Sequence, residues 1–224
     1  QHGCSAGGPT NVIASLLSAA EVEPDCLSAP IGSFKREQQL AETQAKRIEQ
    51  WARASNCWVE NADSILTKQF GKFIAEGGEA KVYDHGASII KTIGLDYYLQ
   101  PVLALDRISL HNAWFPETKL SVLGFGRDDE GNFLVIVEQP YIQGSPLSDK
   151  EIEAFAFSLG FKQINPDNWT YATPQIYLSD LHDENVIKSA EGNIFVIDCD
   201  IRINTPALKC GGMRSLTTEM YNII

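Results

Sequence analysis

The stretch Leu178-Ser179-Asp180-Leu181-His182-Asp183-Glu184-Asn185, with Ile194-Phe195-Val196-Ile197-Asp198 shortly after it, decides how this chain is read. A β-prone run, Gln175 to Leu178, leads into a polar loop, and Asn185 to Ile187 and Ile194 to Asp198 then read as the two arms of a hairpin. Asp180, Asn185 and Asp198 thereby fall beside strand ends, and their side-chain oxygens are hard donors that suit a hard divalent cation. Taken singly, each is an ordinary turn residue. In this order and on these elements they form a candidate site. His182 sits between Asp180 and Asp183, but no second His or Cys lies near it in sequence, which argues against a transition-metal site.

Upstream of that stretch the chain changes character several times. Lys35 to Arg53 carries apolar residues at Ala41, Ala45, Ile48 and Ala52, a helical interval, with charges on the other face. Short β-branched and aromatic runs divided by glycine follow: Gln69 to Glu76, Glu79 to His85 and Ala87 to Ile93, with Asp84-His85-Gly86 as a turn. Pro101 suits the first turn of a helix reaching about Trp114. Leu120 to Gly126 and Asn132 to Glu138 are two more strands. The order is three strands, helix, two strands, and beyond Gly144-Ser145-Pro146 a mixed second half with a helix at Ser148 to Leu159. The class is α+β.

Two features in the strand-rich part bear on chemistry. Gly77 and Gly78, in Glu76-Gly77-Gly78-Glu79-Ala80-Lys81-Val82-Tyr83, lie where one strand turns into the next, so the backbone there can close over phosphates without Cβ obstruction. An ordinary hairpin is the alternative. Lys91, within Ser88-Ile89-Ile90-Lys91, places a cation on the third strand, where it either neutralises phosphate charge or faces solvent.

The chain has 224 residues, 44% apolar and 21% charged, which is ordinary globular balance and enough to bury a core. A formal charge of −11 without any basic stripe argues against a nucleic-acid partner. No apolar run approaches the roughly 18 to 20 residues of a membrane span, and no basic-then-apolar leader opens the chain. A soluble cytoplasmic protein is expected. Cys4, Cys26, Cys57, Cys199 and Cys210 are odd in number and irregularly spaced, so reduced thiols are the preferred reading. Residues 1–33 read as a linker or the tail of a preceding domain, with one helical candidate at Asn11 to Ala20. The start at Gln1 reads as that of a piece excised from a longer polypeptide.

Residues from roughly Trp51 to Ile203 resemble the serine/threonine/tyrosine kinase domain found in bacterial and phage polyvalent proteins. The resemblance rests on Gly77-Gly78-Glu79-Ala80-Lys81-Val82-Tyr83, Leu105-Asp106-Arg107-Ile108-Ser109-Leu110-His111-Asn112 with Phe115-Pro116, Glu138-Gln139-Pro140, Asp180-Leu181-His182 and Val196-Ile197-Asp198. It implies a protein-kinase-like two-lobed fold, with a five-stranded antiparallel N-lobe over 34–138 and a reduced C-lobe over 139–224. It also implies phosphoryl transfer from ATP with Mg2+. On that reading Asp180 accepts or orients the acceptor's hydroxyl proton, Asn185 and Asp198 hold the metal, and Lys91 meets the phosphates. Gly77, Gly78, Glu79, Ala80 and Val82 cover the nucleotide, and backbone groups of Glu138 and Gln139 meet the adenine. If Pro101 opens a helix, Leu103, Asp106 and Leu110 share its inward stripe, and Asp106 pairs with Lys91 as the acid on this helix does in kinases. The partners are ATP and a hydroxyl-bearing protein or small molecule.

The pattern departs from protein kinases where Leu178-Ser179 replaces His-Arg before the aspartate and where Asp198-Cys199-Asp200 replaces D-F-G. The missing arginine puts activation-loop regulation in doubt, and only Ile201 to Ile224 remain for substrate recognition. Two alternatives stay open: a pseudokinase that binds nucleotide or a partner without turnover, and a small-molecule kinase akin to antibiotic phosphotransferases.

Overall fold

Helix α1, Phe34–Ala54, forms where the sequence period predicts it: Ile48 and Ala52 fall on one face and are fully buried, and Glu49 and Arg53, one turn apart, form a 2.8 Å ion pair. The computed structural model describes residues 20, 34–70, 73–95, 98 and 100–204. The expected tail over 1–33, with its helix except for Ala20, lies outside the described residues, as do Cys4, Cys26 and Cys210. Cys57 and Cys199 are buried and form no disulfide. Among the described residues no helix is long and apolar enough to cross a membrane. The described chain divides into two units, the first running to Ser109 and including Leu120–Gln139, the second comprising Leu110–Lys119 and residues from Pro140 onward.

The first unit continues with β1 (Trp58–Val59), α2 (Ala62–Phe70), β2 (Phe73–Glu76), β3 (Ala80–His85) and β4 (Ser88–Gly94). Helix α3 (Pro101–Trp114), β5 (Ser121–Arg127) and β6 (Phe133–Pro140) follow. The sheet has six strands in the order β1-β5-β6-β4-β3-β2, not the five expected, and β1 runs parallel to β5. Two glycines of β5 permit this extra strand: a Cβ on Gly124 would stand 2.5 Å from the Cys57 carbonyl oxygen, and one on Gly126 2.2 Å from that of Val59. The first strand is also shorter than expected, because Gln69 and Phe70 end α2 and pairing starts at Phe73.

Both faces of this sheet are covered. Ile93, Phe133, Val135 and Val137 pack with Ile48 and Ala52 of α1 and with Val102, Leu105 and Ile108 of α3. Tyr83, Ile90, Leu134 and Ile136 pack with Ala62 and Leu66 of α2. The inward stripe of α3 is therefore Val102, Leu105 and Ile108, one or two positions before the expected Leu103, Asp106 and Leu110. Each fully buried side chain of this size contributes roughly 1.5–3 kcal/mol relative to exposure, so the helix rotates to seat the larger apolar set.

The second unit opens with a 3₁₀ turn at Pro116–Thr118, then β7 (Ser145–Pro146), α4 (Asp149–Ser158), β8 (Lys162–Asn165), β9 (Thr170–Ala172) and β10 (Ile176–Ser179). Strands β11 (Val186–Lys188), β12 (Ile194–Val196) and β13 (Asp200–Ile203) complete it. Ser148 caps α4, and the Glu151 carboxylate reaches back to the Ser148 amide at 3.0 Å, a capping box. Four strands pair in the order β13-β10-β9-β8 and three in the order β12-β11-β7. Ile152, Phe161, Leu178, Leu181 and Val196 are buried within this unit.

Candidate functional site

In the first unit, Lys91 lies mid-strand on β4, only 7% exposed, directly opposite Val82 of β3. Side chains alternate along a strand, so Lys91 shares the face of Ile93, the one that α1 and α3 cover, while Ile90 and Thr92 point to the α2 face. Gly77 and Gly78 form the β2–β3 turn, closed by the Gly77 amide donating to the Ala80 carbonyl at 2.9 Å. A Cβ on Gly78 would meet nothing within 4 Å. Folding by itself therefore does not demand glycine there. A cavity of about 290 Å³ beside this turn is lined by Lys81, Thr92, Asp128 and Leu134 as well as by the glycines. Lys81 is salt-bridged to Asp63 of α2 at 2.6 Å, which puts that cavity on the face away from Lys91.

The expected Lys91 and Asp106 pair does not form: Asp106 has no ion pair with Lys91, and burial alone pushes its carboxyl up to about 6. One residue along the helix, Arg107 instead bonds both carboxylate oxygens of Glu79, at 2.8 and 2.9 Å. The Glu79 carbonyl accepts from the Gly94 amide at 2.8 Å, so backbone and side chain of Glu79 are both held. Ala80 pairs with Ile93 in the ladder. At the end of β6, Gln139 is fully buried, and the Glu138 carboxylate accepts from Ser88 Oγ at 2.7 Å and lies 3.2 Å from His85 Nδ1. The Glu138 side chain is thus turned back onto the β3–β4 hairpin.

In the second unit, the polar loop after β10 is drawn together around Asn185. Leu181 is fully buried and anchors it. Asp180 adopts a left-handed backbone with φ 62°, sparsely populated for a non-glycine residue. The Asn185 Nδ2 amide donates to the Asp180 carbonyl at 2.9 Å and to its Oδ2 at 3.1 Å. The Asn185 carbonyl accepts from the Ile197 amide at 2.9 Å, and Val186 pairs with Val196 in the β11–β12 ladder. Asn185 therefore touches Asp180 through its side chain and the residue before Asp198 through its main chain. Asp198 Oδ1 accepts from the Cys199 amide at 2.9 Å. His182 Nε2 stands 3.3 Å from Asp180 Oδ1, and the Trp169 ring lies 5.4 Å from the imidazole.

A family model described as Serine/Threonine/Tyrosine Kinase found in polyvalent proteins matches residues 41–205, which span all of these elements. The chain belongs to this kinase family. No curated protein matches it. Membership makes the domain a kinase-type phosphotransferase, and the family implies ATP as donor and a hydroxyl-bearing acceptor.

Asn185 and Asp198 carry side-chain oxygens of the hard kind that magnesium takes. Among the described residues no group of three or more His, Cys, Asp or Glu could hold a metal. Magnesium needs fewer protein ligands, because it keeps several waters and takes substrate phosphates beside one or two side-chain oxygens. Asn185 spends its amide nitrogen on Asp180, which leaves Oδ1 as its hard donor. Three relationships had no signature in sequence: Arg107 with Glu79, His111 Nδ1 with Cys199 Sγ at 3.8 Å, and Ser179 Oγ with Asp200 Oδ2 at 3.2 Å. Two hints were usable: Arg107 adjoins Asp106, and Ser179 and Asp200 are among the departures from the kinase pattern.

Proposed function

We propose that this domain is a Mg·ATP-dependent kinase that transfers the γ-phosphoryl group to a protein hydroxyl of Ser, Thr or Tyr. Asp180 orients the acceptor hydroxyl and takes its proton, and Asn185 and Asp198 hold the magnesium. Lys91 offsets phosphate charge, and the Gly77-Gly78 turn with Glu79, Ala80 and Val82 lies over the phosphates. Backbone groups of Glu138 and Gln139 receive the adenine. Bound magnesium supplies charge neutralisation across the transferring phosphates.

The observation that carries this reading is the Asn185 side chain, which bonds Asp180 through its nitrogen while its main chain bonds the residue before Asp198. One residue, through its side chain and its main chain, thus links the segments of the proposed proton acceptor and of Asp198. The open surroundings of Gly78 support a turn kept clear for a ligand.

The test incubates the purified chain with Mg2+, γ-labelled ATP and a generic protein mixture, with aminoglycosides, choline-like amines and sugars as a parallel arm. Label on Ser, Thr or Tyr that disappears in Asp180→Ala and Asp198→Ala is expected. Label only in the small-molecule arm would replace the acceptor class. Nucleotide-dependent thermal stabilisation without transfer to anything would make the domain a pseudokinase. Transfer that persists unchanged in either variant overturns the residue roles.

A further inference from the structure

We propose that Ser179 and Asp200 form a built-in latch that holds Asp180 and Asp198 in register, so that transfer requires no phosphorylation of a regulatory loop. This rests on the catalytic reading above. Ser179 and Asp200 close the β10–β13 ladder, whose register runs Ile176 with Ile203, Tyr177 with Arg202, Leu178 with Ile201 and Ser179 with Asp200. Leu178 and Ile201 within it are fully buried, so the ladder is anchored in the core of its unit. At its open end the Ser179 hydroxyl donates to Asp200 Oδ2 at 3.2 Å, and Arg202 Nη2 approaches the same oxygen at 2.5 Å.

These contacts matter because of what adjoins them. Asp180 follows Ser179 directly and takes the left-handed conformation. Asp198 precedes Asp200 by a single residue, Cys199, which is buried. The two aspartates are therefore connected by two short struts. One runs through Asn185, from its bonds to Asp180 to the Ile197 amide. The other runs through Ser179 and Asp200. With both in place, the chain on either side of Asp198, at Ile197 and at Asp200, is hydrogen-bonded to the segment that carries Asp180.

The second strut occupies one position in each of the two segments where the chain departs from the protein-kinase pattern. In kinases controlled by phosphorylation, an arginine beside the catalytic aspartate gains a phosphate partner only after modification. Here the partner charge is the permanent carboxylate of Asp200, the cation is Arg202, and the residue beside Asp180 is a hydroxyl bonded to that carboxylate. An order that others acquire is encoded directly.

The test compares wild type, Ser179→Ala, Ser179→Thr and Asp200→Asn by steady-state kinetics and by amide hydrogen exchange without nucleotide. The alanine variant is expected to lose about three- to tenfold in kcat, the range of one hydrogen bond, with the KM for ATP changed less than about twofold. Threonine should restore kcat, and Asp200→Asn should lie between. Phosphatase-treated wild type should keep full activity. Exchange at the Asn185 and Ile197 amides should speed up in Ser179→Ala while the β3–β4 amides stay unchanged. Unaltered exchange in both variants, or loss of wild-type activity on phosphatase treatment, overturns the latch. A wild type that transfers nothing refutes the catalytic reading, and exchange then still decides whether the strut exists.

Discussion

Arg107 and Glu79 are joined by a two-point contact, with Nη1 at 2.8 Å from one carboxylate oxygen and 2.9 Å from the other, and the Tyr98 hydroxyl donates to the same carboxylate at 2.9 Å. This ties α3 to the exit of the glycine turn. In kinases an acid on this helix meets a strand lysine; here a base on the helix meets an acid of the turn.

Arg107→Ala leaves a half-buried carboxylate without this cation, and a loss of about 1–3 kcal/mol in urea unfolding is expected. Arg107→Ala with Glu79→Gln should cost less than the sum of the single changes. Strict additivity would mean that the contact carries no coupling. If the turn covers the phosphates, each single change should also raise the KM for ATP.

Asp106 makes stability depend on pH. Its folded-state value, about 6, lies above the ordinary 3.8 because burial disfavours the charge. The stabilising contribution is full below about pH 4 and is lost as the pH rises through about 6. Asp106→Asn should therefore be more stable than wild type at neutral pH by about 1–3 kcal/mol, with the gap closing toward pH 4. Denaturant titrations at both pH values check this. If Asp106 were the charge partner of Lys91, the substitution would destabilise at neutral pH instead.

Two glycine substitutions should separate folding from ligand binding. Gly126→Ala drives a Cβ to 2.2 Å from the Val59 carbonyl oxygen, so unfolding should come easier by about 2 kcal/mol or more. Gly78→Ala meets open space and should leave stability within about 0.5 kcal/mol of wild type. On the proposed function it nonetheless weakens ATP binding. Equal effects of the two on urea midpoints would contradict the contrast.

Asn185→Ala removes the side-chain donor to Asp180 and the proposed oxygen donor to the metal. A fall in kcat of about 10²-fold or more is expected, together with a higher Mg2+ concentration for half-maximal rate. A lowered kcat with unchanged Mg2+ dependence would leave Asn185 only its part in shaping the loop.

How much could be read in advance differs from element to element. The approximate span of α3 was legible, because Pro101 marks its start, yet its rotation was not. Leu103 and Leu110 match a helical interval as well as Val102, Leu105 and Ile108 do, and only the facing sheet decides between them. The hairpin that carries Asn185 and Asp198 was legible from its β-prone arms. Strand β1, two residues long, carries too little pattern to be seen, and helix α2 is not read at all except that its last two residues, Gln69 and Phe70, pass for the start of the strand after it.

By itself the sequence determined helices α1, α3 and α4, strands β2 to β6 and β10 to β12 in their order, and a glycine turn, lysine, aspartate, asparagine and aspartate in the order a kinase uses. These are properties of local period and spacing. Only the tertiary structure decided that β1 adds to the sheet through Gly124 and Gly126, that Arg107 rather than Asp106 is the helix's ionic contact, and that Ser179 meets Asp200. Such pairings join residues far apart in the chain, and their choice depends on which side chains desolvate together once the sheets close, a competition that no local pattern records.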